Sequence, residues 1–572
     1  MLLISADVFN TSLPSELVNT IWNGGFLDFD VCDISADVRD TLHDNFYFIE
    51  SWKKLLHELH SALKDFSVEQ CANLWNSIAT NGDMGKQIMT TLAYFMDCCK
   101  QETLTVYMKE SSILAANVYI TMLRLPGYTC IQLFHPTLFQ KSIDALKNIS
   151  PIESVFAKHG GRSKHSKLSS SQGTQKSSQS SQRREAGRSQ SSILEDSHQE
   201  LELSEPDIYK LRRHLVQLLQ SLVMFLKINP LKKELHLSEL VIALLSTLTS
   251  IEPSSMPTAF DPEVIVSRVT SIAYLAYLGI HIICMRNPGG SVAMIKCAFK
   301  SLEQNFLMLV GQKRDTPATN TIPRDVVLIR DLTLAFVVHL VREAKDSIKQ
   351  PLQRLVSSVI LSAPDRSEYR VKISQAVLVI MEEMGDAAYC DMCKWLFQLS
   401  KYKKASGRIM AAEIYGQMLV KKDLKKISDT SIDLDLINYT TRFVLLQALL
   451  TRCSDKVPSV CAKSLSMLAL CLNCKENEVK KYVRSFITTR LHHRMLRPHT
   501  TMSRTSGFSV NSNGPNESEA VRIHPIHSAQ TTNAWTSEGS QLGPSSIFIP
   551  YSCTKSATMF YLTRGFDISK YI

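Results

Sequence analysis

Hydrophobic positions recur in helical steps over most of the chain. Apolar residues fall three and four positions apart over several turns, and Pro, Gly or an Asp-Ser pair then interrupts the pattern. In LRRHLVQLLQSLVMFL, one helical face carries Leu211, Leu215, Leu218, Leu222 and Phe225. The alternation of apolar and polar residues that is typical of strands is scarce. The pattern therefore predicts an all-α chain.

The stretch from Leu436 to Leu472 shows how two such helices are joined. The first predicted helix presents on one face Leu436, Phe443, Leu446 and Leu450. The second carries an apolar stripe of Ser464, Met467, Leu468, Cys471 and Leu472, and Val460 is expected to fill the gap between the two helices. Asp455 lies in the turn, where its carboxylate can accept bonds from the free N–H groups that begin a helix. Lys463 lies outside the stripe, and we expect it to face away from the core.

A second unit of the same kind lies in SAPDRSEYRVKISQAVL. Asp365 precedes Arg370, and an apolar stripe follows at Ile373, Ala376, Val377 and Ile380. Helix pairs of roughly 40 residues with Asp at the turn are typical of HEAT repeats, in which an Arg pairs with the Asp of a neighbouring repeat. Arg370 fits that role, whereas Cys461 stands where the next Arg is expected. The sequence predicts a HEAT/armadillo-like α-solenoid of stacked antiparallel helix pairs, and an unrelated helical bundle is the alternative.

Two segments depart from the helical pattern. Residues 157–207 are rich in Ser and basic residues and end in an acidic run, and residues 498–572 are rich in Ser, Thr, Asn and Gly. Such segments have too little apolar surface to offset the entropy of ordering. We therefore predict an N-terminal helical block at 1–156, a disordered insert at 157–207, a HEAT-repeat array at 208–497 and a disordered tail at 498–572.

Positive charge is modest in total but clustered. The formal net charge is +10 over 572 residues. Three clusters supply the candidate DNA-contacting residues, which are Lys401, Lys403, Lys404, Arg408, Lys421, Lys422, Lys425, Lys426, Lys480, Lys481, Arg484 and Arg490. Corresponding helices of a solenoid share a surface, so clusters in adjacent repeats can merge into one stripe that neutralises phosphates. A solvated polar face is the alternative interpretation.

The residues that could carry other chemistry are sparse. Cys390/Cys393 and Cys471/Cys474 form two CxxC pairs, but they lie too far apart for a zinc ribbon and fall on apolar helical faces, which favours burial. No local spacing suggests a catalytic arrangement, a cofactor or a metal. The longest apolar stretch, Ile272 to Cys284, is shorter than the roughly twenty residues of a membrane span. We expect a soluble, intracellular chain that is not an enzyme.

Three stretches together resemble a known family. They are LFHPTLFQKSIDALKN, DRSEYRVKISQAVL and RCSDKVPSVCAKSLSMLALCL, and the order of helical block, charged insert and longer helical array matches as well. The chain resembles the N-terminal half of the D-type HEAT subunit of condensin II over roughly residues 15 to 490. Members of that family are much longer, and helical periodicity fades here after Arg497.

The resemblance implies a non-catalytic subunit that acts in mitotic chromosome assembly. Its expected partners are a kleisin, two SMC ATPase subunits and a second HEAT subunit, together with DNA and histones. Its expected location is the nucleus, and the chromosomes in mitosis. A HEAT adaptor of another class, such as a nuclear transport carrier or a phosphatase scaffold, is the alternative, although the Lys and Arg clusters argue against a transport carrier. A metal-dependent enzyme would require the two CxxC pairs to converge.

Overall fold

The computed structural model describes residues 13–27, 46–80, 83–97, 106–149 and 204–495, with short gaps at 230, 232, 258, 287–289, 311–321, 422–423 and 475–476. The predicted disordered insert and tail lie outside these residues, except for the last four positions of the insert. Within the described ranges every regular element is a helix, as the hydrophobic pattern predicted. None of these helices is long and apolar enough to cross a bilayer.

The helices fall into two units that the contacts divide after Asn473. The first unit begins with α1 Ser15–Asn23, α2 Phe46–Asp65, α3 Val68–Thr80, α4 Met84–Asp97, α5 Val106–Met122 and α6 Pro136–Asp144. It continues with α7 Glu205–Ile228, α8 Leu235–Leu248, α9 Ile272–Cys284, α10 Val292–Leu307, α11 Arg324–Ala344 and α12 Lys349–Leu361. It ends with α13 Ser367–Glu383, α14 Asp386–Leu399, α15 Ala405–Val420, α16 Leu434–Ile437, α17 Arg442–Arg452 and α18 Pro458–Asn473. The second unit contains α19 Asn477–Met495.

One layer of the first unit consists of parallel helices. Its members are α5, α7, α9, α11, α13, α15 and α18, each in contact with the next. The parallel direction of α11 and α13 follows from their contacts. Arg330, early in α11, donates to the carbonyl of Lys372, early in α13, at 2.6 Å. Arg342, late in α11, donates to Glu383, the last residue of α13, at 2.9 Å.

A second layer covers the first. It contains α8, α10, α12 and α14, stacked in that order, and each contacts a helix of the first layer. A buried polar network ties the two layers together around Asn305 of α10. Its amide donates to Thr249 at 3.0 Å and to Thr333 of α11 at 3.1 Å, and Thr333 lies 2.7 Å from the hydroxyl of Tyr277 in α9. Every member of the network has a partner, as buried polar groups require.

The array continues from α5 directly to α7, although the predicted insert separates them in sequence. Glu110 of α5 is fully buried and binds Lys210 at 2.5 Å and His214 at 3.2 Å, both in α7, and Lys53 of α2 at 3.4 Å. Burial alone would raise the pKa of Glu110, but hydrogen bonds from His214 and Lys210 lower it to about 2. The carboxylate therefore stays ionised and joins three helices.

The start of α7 corrects the predicted end of the insert. We assigned residues up to 207 to the disordered segment because of their acidic run. In the structure Ser204 is the N-cap of α7, its hydroxyl accepts from the N–H of Asp207, and Pro206 lies in the first turn. The acids Glu205 and Asp207 belong to that turn, where they favour the helix by opposing its dipole.

The apolar stripe predicted for α18 is confirmed at four of its five positions. Ser464, Met467, Leu468 and Cys471 are buried, as is Val460, whereas Leu472 is only half-buried. The face predicted for the preceding helix is wrong, because Phe443 is 49% exposed and the buried residues of α17 are Leu445, Leu446, Ala448 and Leu449. The reason is that a new helix begins after Thr441, whose hydroxyl accepts from the N–H of Val444 and caps α17. A single helical period therefore does not extend from Leu436 through this segment.

Candidate nucleic-acid interface

The amino ends of α13, α15 and α18 lie on one edge of the first unit because these helices are parallel neighbours. We call this the turn edge, and it comprises residues 362–366, 400–404 and 453–457. Five exposed cations lie on it, which are Arg366, Lys401, Lys403, Lys404 and Lys456. Asp365, an exposed acid of the same edge, pairs with Arg370. The turn edge therefore presents more positive than negative charge to solvent across three successive repeats.

The turn between α14 and α15 is the most basic part of this edge. Lys401, Lys403 and Lys404 are exposed there, within five residues. The ammonium of Lys401 lies 4.0 Å from the ring centroid of Phe397. Partial burial and the nearby Arg452 lower the pKa of Lys401. The aromatic contact holds one of the three charges close to the protein surface.

Arg408 does not belong to this exposed set, which corrects its assignment as a DNA contact. Its side chain is buried and holds Asp455 with two hydrogen bonds of 2.9 Å, one from Nε and one from Nη2. Its Nη1 donates to the carbonyls of Tyr402 and Lys403 at 2.8 Å each. Asp455 in turn accepts from the N–H of Val457 at 3.0 Å. Arg408 therefore fixes the conformation of the basic turn and attaches it to the next repeat.

The Arg–Asp pair between repeats thus exists, but at a different place from the predicted one. Arg370, which we assigned to that role, binds Asp365 of its own repeat. The thiol of Cys461 donates to the carbonyl of Cys453 at 2.8 Å. Burial raises the pKa of the Asp455 carboxyl, but the bonds from Arg408 and Val457 N–H prevail and lower it.

The second basic cluster lies at the other end of α15. With sixteen residues, α15 is about 24 Å long, so this cluster does not join the turn edge into one stripe. Lys421 pairs with Glu382. Lys425 donates to the carbonyl of Met384 and lies 3.7 Å from Asp386. Lys426 is exposed, and Lys422 lies outside the described residues.

The third cluster belongs to α19 in the second unit. Lys481 and Arg484 are exposed, and Lys480 is half-buried. Lys480 and Arg484 are four residues apart and therefore share a helical face. Arg490 lies on the same helix, but its side chain is outside the described residues. This cluster is a separate candidate surface.

A groove of about 480 Å³ lies along α13, α15 and α18, away from the turn edge. Val371, Val379 and Leu470 give it apolar walls, and Glu413 lies in its lining. The carboxylate of Glu413 is 2% exposed and lies 2.6 Å from Lys463 of α18. The prediction that Lys463 faces away from the core is therefore wrong. The signal that could have revealed the pair is the lone acid inside the apolar run RIMAAEIYG.

Three of the four cysteines of the CxxC pairs lie on helices, as the pattern predicted, whereas Cys474 follows the end of α18. Cys390 and Cys393 are buried in α14, and Cys471 is buried in α18. Cys474 is buried as well. Burial raises the pKa of Cys393 to about 12, so its sulfur stays protonated at neutral pH.

Parallel stacked helix pairs, with ion pairs between successive repeats, define a HEAT/armadillo-like α-solenoid. A family model described as "Condensin-2 complex subunit D3-like, N-terminal domain" matches residues 17–226. The chain is 28% identical over 470 residues to "Condensin-2 complex subunit D3-L" of Xenopus laevis, and the match covers 80% of this chain. It is 24% identical over 528 residues to "Condensin-2 complex subunit D3" of Mus musculus, and this match covers 89% of the chain. These similarities to D3-like condensin-2 subunits agree with the resemblance seen in the sequence.

The chain spans about a third of the length of these relatives, namely 30% of the Xenopus protein and 34% of the mouse protein. Among solved structures, the crystal structure of the karyopherin Kap121p aligns with 86% of this chain and 45% of its own length. The sequence identity is 10% and the TM-score is 0.31. Kap121p bound to Nup53p aligns with the same coverage of both chains, at 11% identity and a TM-score of 0.31.

Proposed function

We propose that the chain is a non-catalytic scaffold subunit of a condensin II complex and that its turn edge contacts duplex DNA. The observation that carries the DNA contact is the turn of Lys401, Lys403 and Lys404. Three ammonium groups are exposed on a turn whose backbone is fixed by Arg408, because its guanidinium donates hydrogen bonds to two carbonyl groups of that turn. A fixed turn can offer its charges to phosphates without first losing the entropy of a free loop.

Contacts of this kind recognise the phosphate backbone. Lysine ammonium groups pair with phosphate oxygens and release counterions, and these contacts carry no direct base information. Arg366 and Lys456 flank the central turn on the same edge, so one duplex could contact three successive repeats. The expected binding is independent of sequence and falls steeply with salt.

The wider assignment rests on the family. The matching relatives are described as subunits of a condensin-2 complex. We propose that this chain binds a kleisin, and through the complex the SMC ATPase subunits and the second HEAT subunit, and that it contacts histones. Its proposed site of action is the nucleus, on chromosomes during mitosis. Affinity capture from mitotic extract, followed by mass spectrometry, should recover the kleisin and SMC subunits together, and their joint absence would overturn this assignment.

Charge reversal tests the DNA contact directly. The triple variant Lys401→Glu/Lys403→Glu/Lys404→Glu should weaken binding to two unrelated duplexes by roughly tenfold or more at low salt. The slope of log affinity against log salt should fall by about 2.7 if each lysine neutralises one phosphate. The matched control is Lys233→Glu/Lys296→Glu/Lys300→Glu, which makes the same charge change at three exposed lysines away from the edge.

Two outcomes distinguish the turn edge from the α19 cluster as the surface that binds DNA. Equal loss in the test and control variants would mean that only net charge matters, and the turn edge would then have no specific role. A third variant, Lys480→Glu/Lys481→Glu/Arg484→Glu, reverses the charge of the α19 cluster. If only this variant loses binding, the DNA contact lies on α19. All variants should keep the circular dichroism of the parent chain, because the changed side chains are exposed or half-buried.

A further inference from the structure

Two histidines and a glutamate converge between α9 and α11. One ligand atom from each of His281, His339 and Glu343 can be chosen so that all three lie within 4.8 Å of one another. His281 Nε2 is 2.7 Å from Glu343 Oε2, and His339 Nε2 is 3.2 Å from the same oxygen. His339 and Glu343 are one turn apart on α11, and His281 reaches them from the neighbouring parallel helix. The cluster lies in the first unit and away from the turn edge.

Phe260 gives the cluster an apolar wall. Its ring centroid lies 5.7 Å from that of His281 and 5.2 Å from that of His339. The loop that carries Phe260 is fixed by hydrogen bonds at the following residue, Asp261. There the hydroxyl of Tyr274 donates to the carbonyl of Asp261 at 2.8 Å and lies 3.0 Å from its N–H. An apolar wall beside a polar cluster limits the access of solvent to it.

The hydrogen bonds within the cluster leave one imidazole nitrogen unsatisfied. His339 Nε2 is enclosed by protein and lies 3.2 Å from Glu343 Oε2 without forming a hydrogen bond with the described residues. Arg342, the cation next to Glu343 in sequence, pairs with Glu383.

We propose that His281, His339 and Glu343 bind a divalent transition-metal ion of the zinc class. The ligand atoms are the two Nε2 atoms and Oε2. Two imidazoles and one carboxylate form a ligand set that zinc accepts, with a water in the fourth position. Tetrahedral coordination would place the ligand atoms roughly 3.3 Å apart, so His281 Nε2, which is 2.7 Å from Glu343 Oε2, would have to move away from that oxygen, whereas His339 Nε2 at 3.2 Å is already close to this spacing. A bound ion would join α9 to α11 across two repeats.

Cobalt substitution provides the test. The full chain is stripped with a chelator and titrated with Co²⁺ alone. The expected result is saturation at one equivalent, with the visible absorption of a four- or five-coordinate site and without the thiolate charge-transfer band that cysteine ligands would give. His339→Ala and Glu343→Gln should each weaken binding by at least roughly tenfold, given that loss of even an outer partner weakens metal sites by tenfold or more.

The matched control is His236→Ala, which removes an exposed histidine from α8. Its Co²⁺ affinity should equal that of the parent chain. A thermal shift with Zn²⁺ gives an independent readout, since an ion that binds only the folded state raises the unfolding temperature. The shift should vanish in His339→Ala and persist in His236→Ala. Equal affinity and equal shift in the two histidine variants, or a thiolate band in the parent chain, would overturn the proposal.

Discussion

Arg408 and Asp455 form a two-pronged ion pair across 47 positions of sequence, with Nε and Nη2 each 2.9 Å from a carboxylate oxygen. Arg452 adds a third bond to the same carboxylate at 2.9 Å. The pair joins α15 to the turn before α18. It also supports the basic turn, because the remaining guanidinium nitrogen of Arg408 binds two carbonyls of that turn.

Removing Arg408 should therefore affect both stability and DNA binding. Arg408→Ala leaves a carboxylate that is 3% exposed with only Arg452 as its cation. We expect a loss of about 3–5 kcal/mol in unfolding free energy, the usual cost of breaking a buried pair. Chemical denaturation of the two single variants and of Arg408→Ala/Asp455→Ala gives the coupling energy. Strictly additive effects would contradict a direct interaction.

Lys463 should be sensitive to substitution, in contrast to the prediction from sequence. Its ammonium lies 2.6 Å from the buried Glu413 carboxylate. Lys463→Ala would therefore leave this buried carboxylate without its cationic partner. We expect a loss of about 3 kcal/mol or somewhat more. The double variant Lys463→Met/Glu413→Gln should recover part of this loss. Lys394→Ala is the matched control on an exposed position of α14, and similar small effects of both alanine variants would refute the pairing.

Leu468 should be a core residue of the α15–α18 interface. Its side chain is 7% exposed, and Leu468→Ala should cost about 2–5 kcal/mol through lost burial and a residual cavity. Leu465, one turn earlier, is 37% exposed. Leu465→Ala should therefore cost much less. Urea unfolding of both variants measures the difference, and equal costs would rule out the observed packing face of α18.

Gly416 marks the closest approach of α15 and α18. A Cβ added at this position would lie 2.6 Å from the Cβ of Met467. Because that atom is fixed to the backbone, the two helices would have to separate. Gly416→Ala should cost about 1–3 kcal/mol, although alanine is the better helix former. A neutral or stabilising effect in denaturant titrations would mean that the helices are less closely packed.

Glu110 should give the chain an acid-sensitive contribution to stability. Its pKa is about 2 in the folded state, against an ordinary value of 4.5. The contribution is fully present above the unfolded pKa and is lost as the pH falls from about 4.5 towards 2. Glu110→Gln should flatten the fall in unfolding free energy over this range. Glu69→Gln, which changes an exposed acid of α3, should leave the slope unchanged.

The sequence predicts the helical class and the stacked pairs because both depend on local periodicity. Four of the five residues predicted for the buried stripe of α18 are correct for the same reason. Arg408 and Lys463 were assigned wrongly because their partners, Asp455 and Glu413, lie 47 and 50 positions away, and spacing alone does not show which helices touch. The cluster of His281, His339 and Glu343 was missed for that reason too, since one member lies on a different helix from the other two.

Glu110 has a further consequence for the connectivity of the chain. It binds Lys210 and His214 across the packed faces of α5 and α7, so the two helices are neighbours irrespective of the polypeptide that links them. A single proteolytic cut between residues 150 and 203 should therefore yield two fragments that co-elute as one non-covalent complex. In acid strong enough to protonate Glu110, the same fragments should separate more readily.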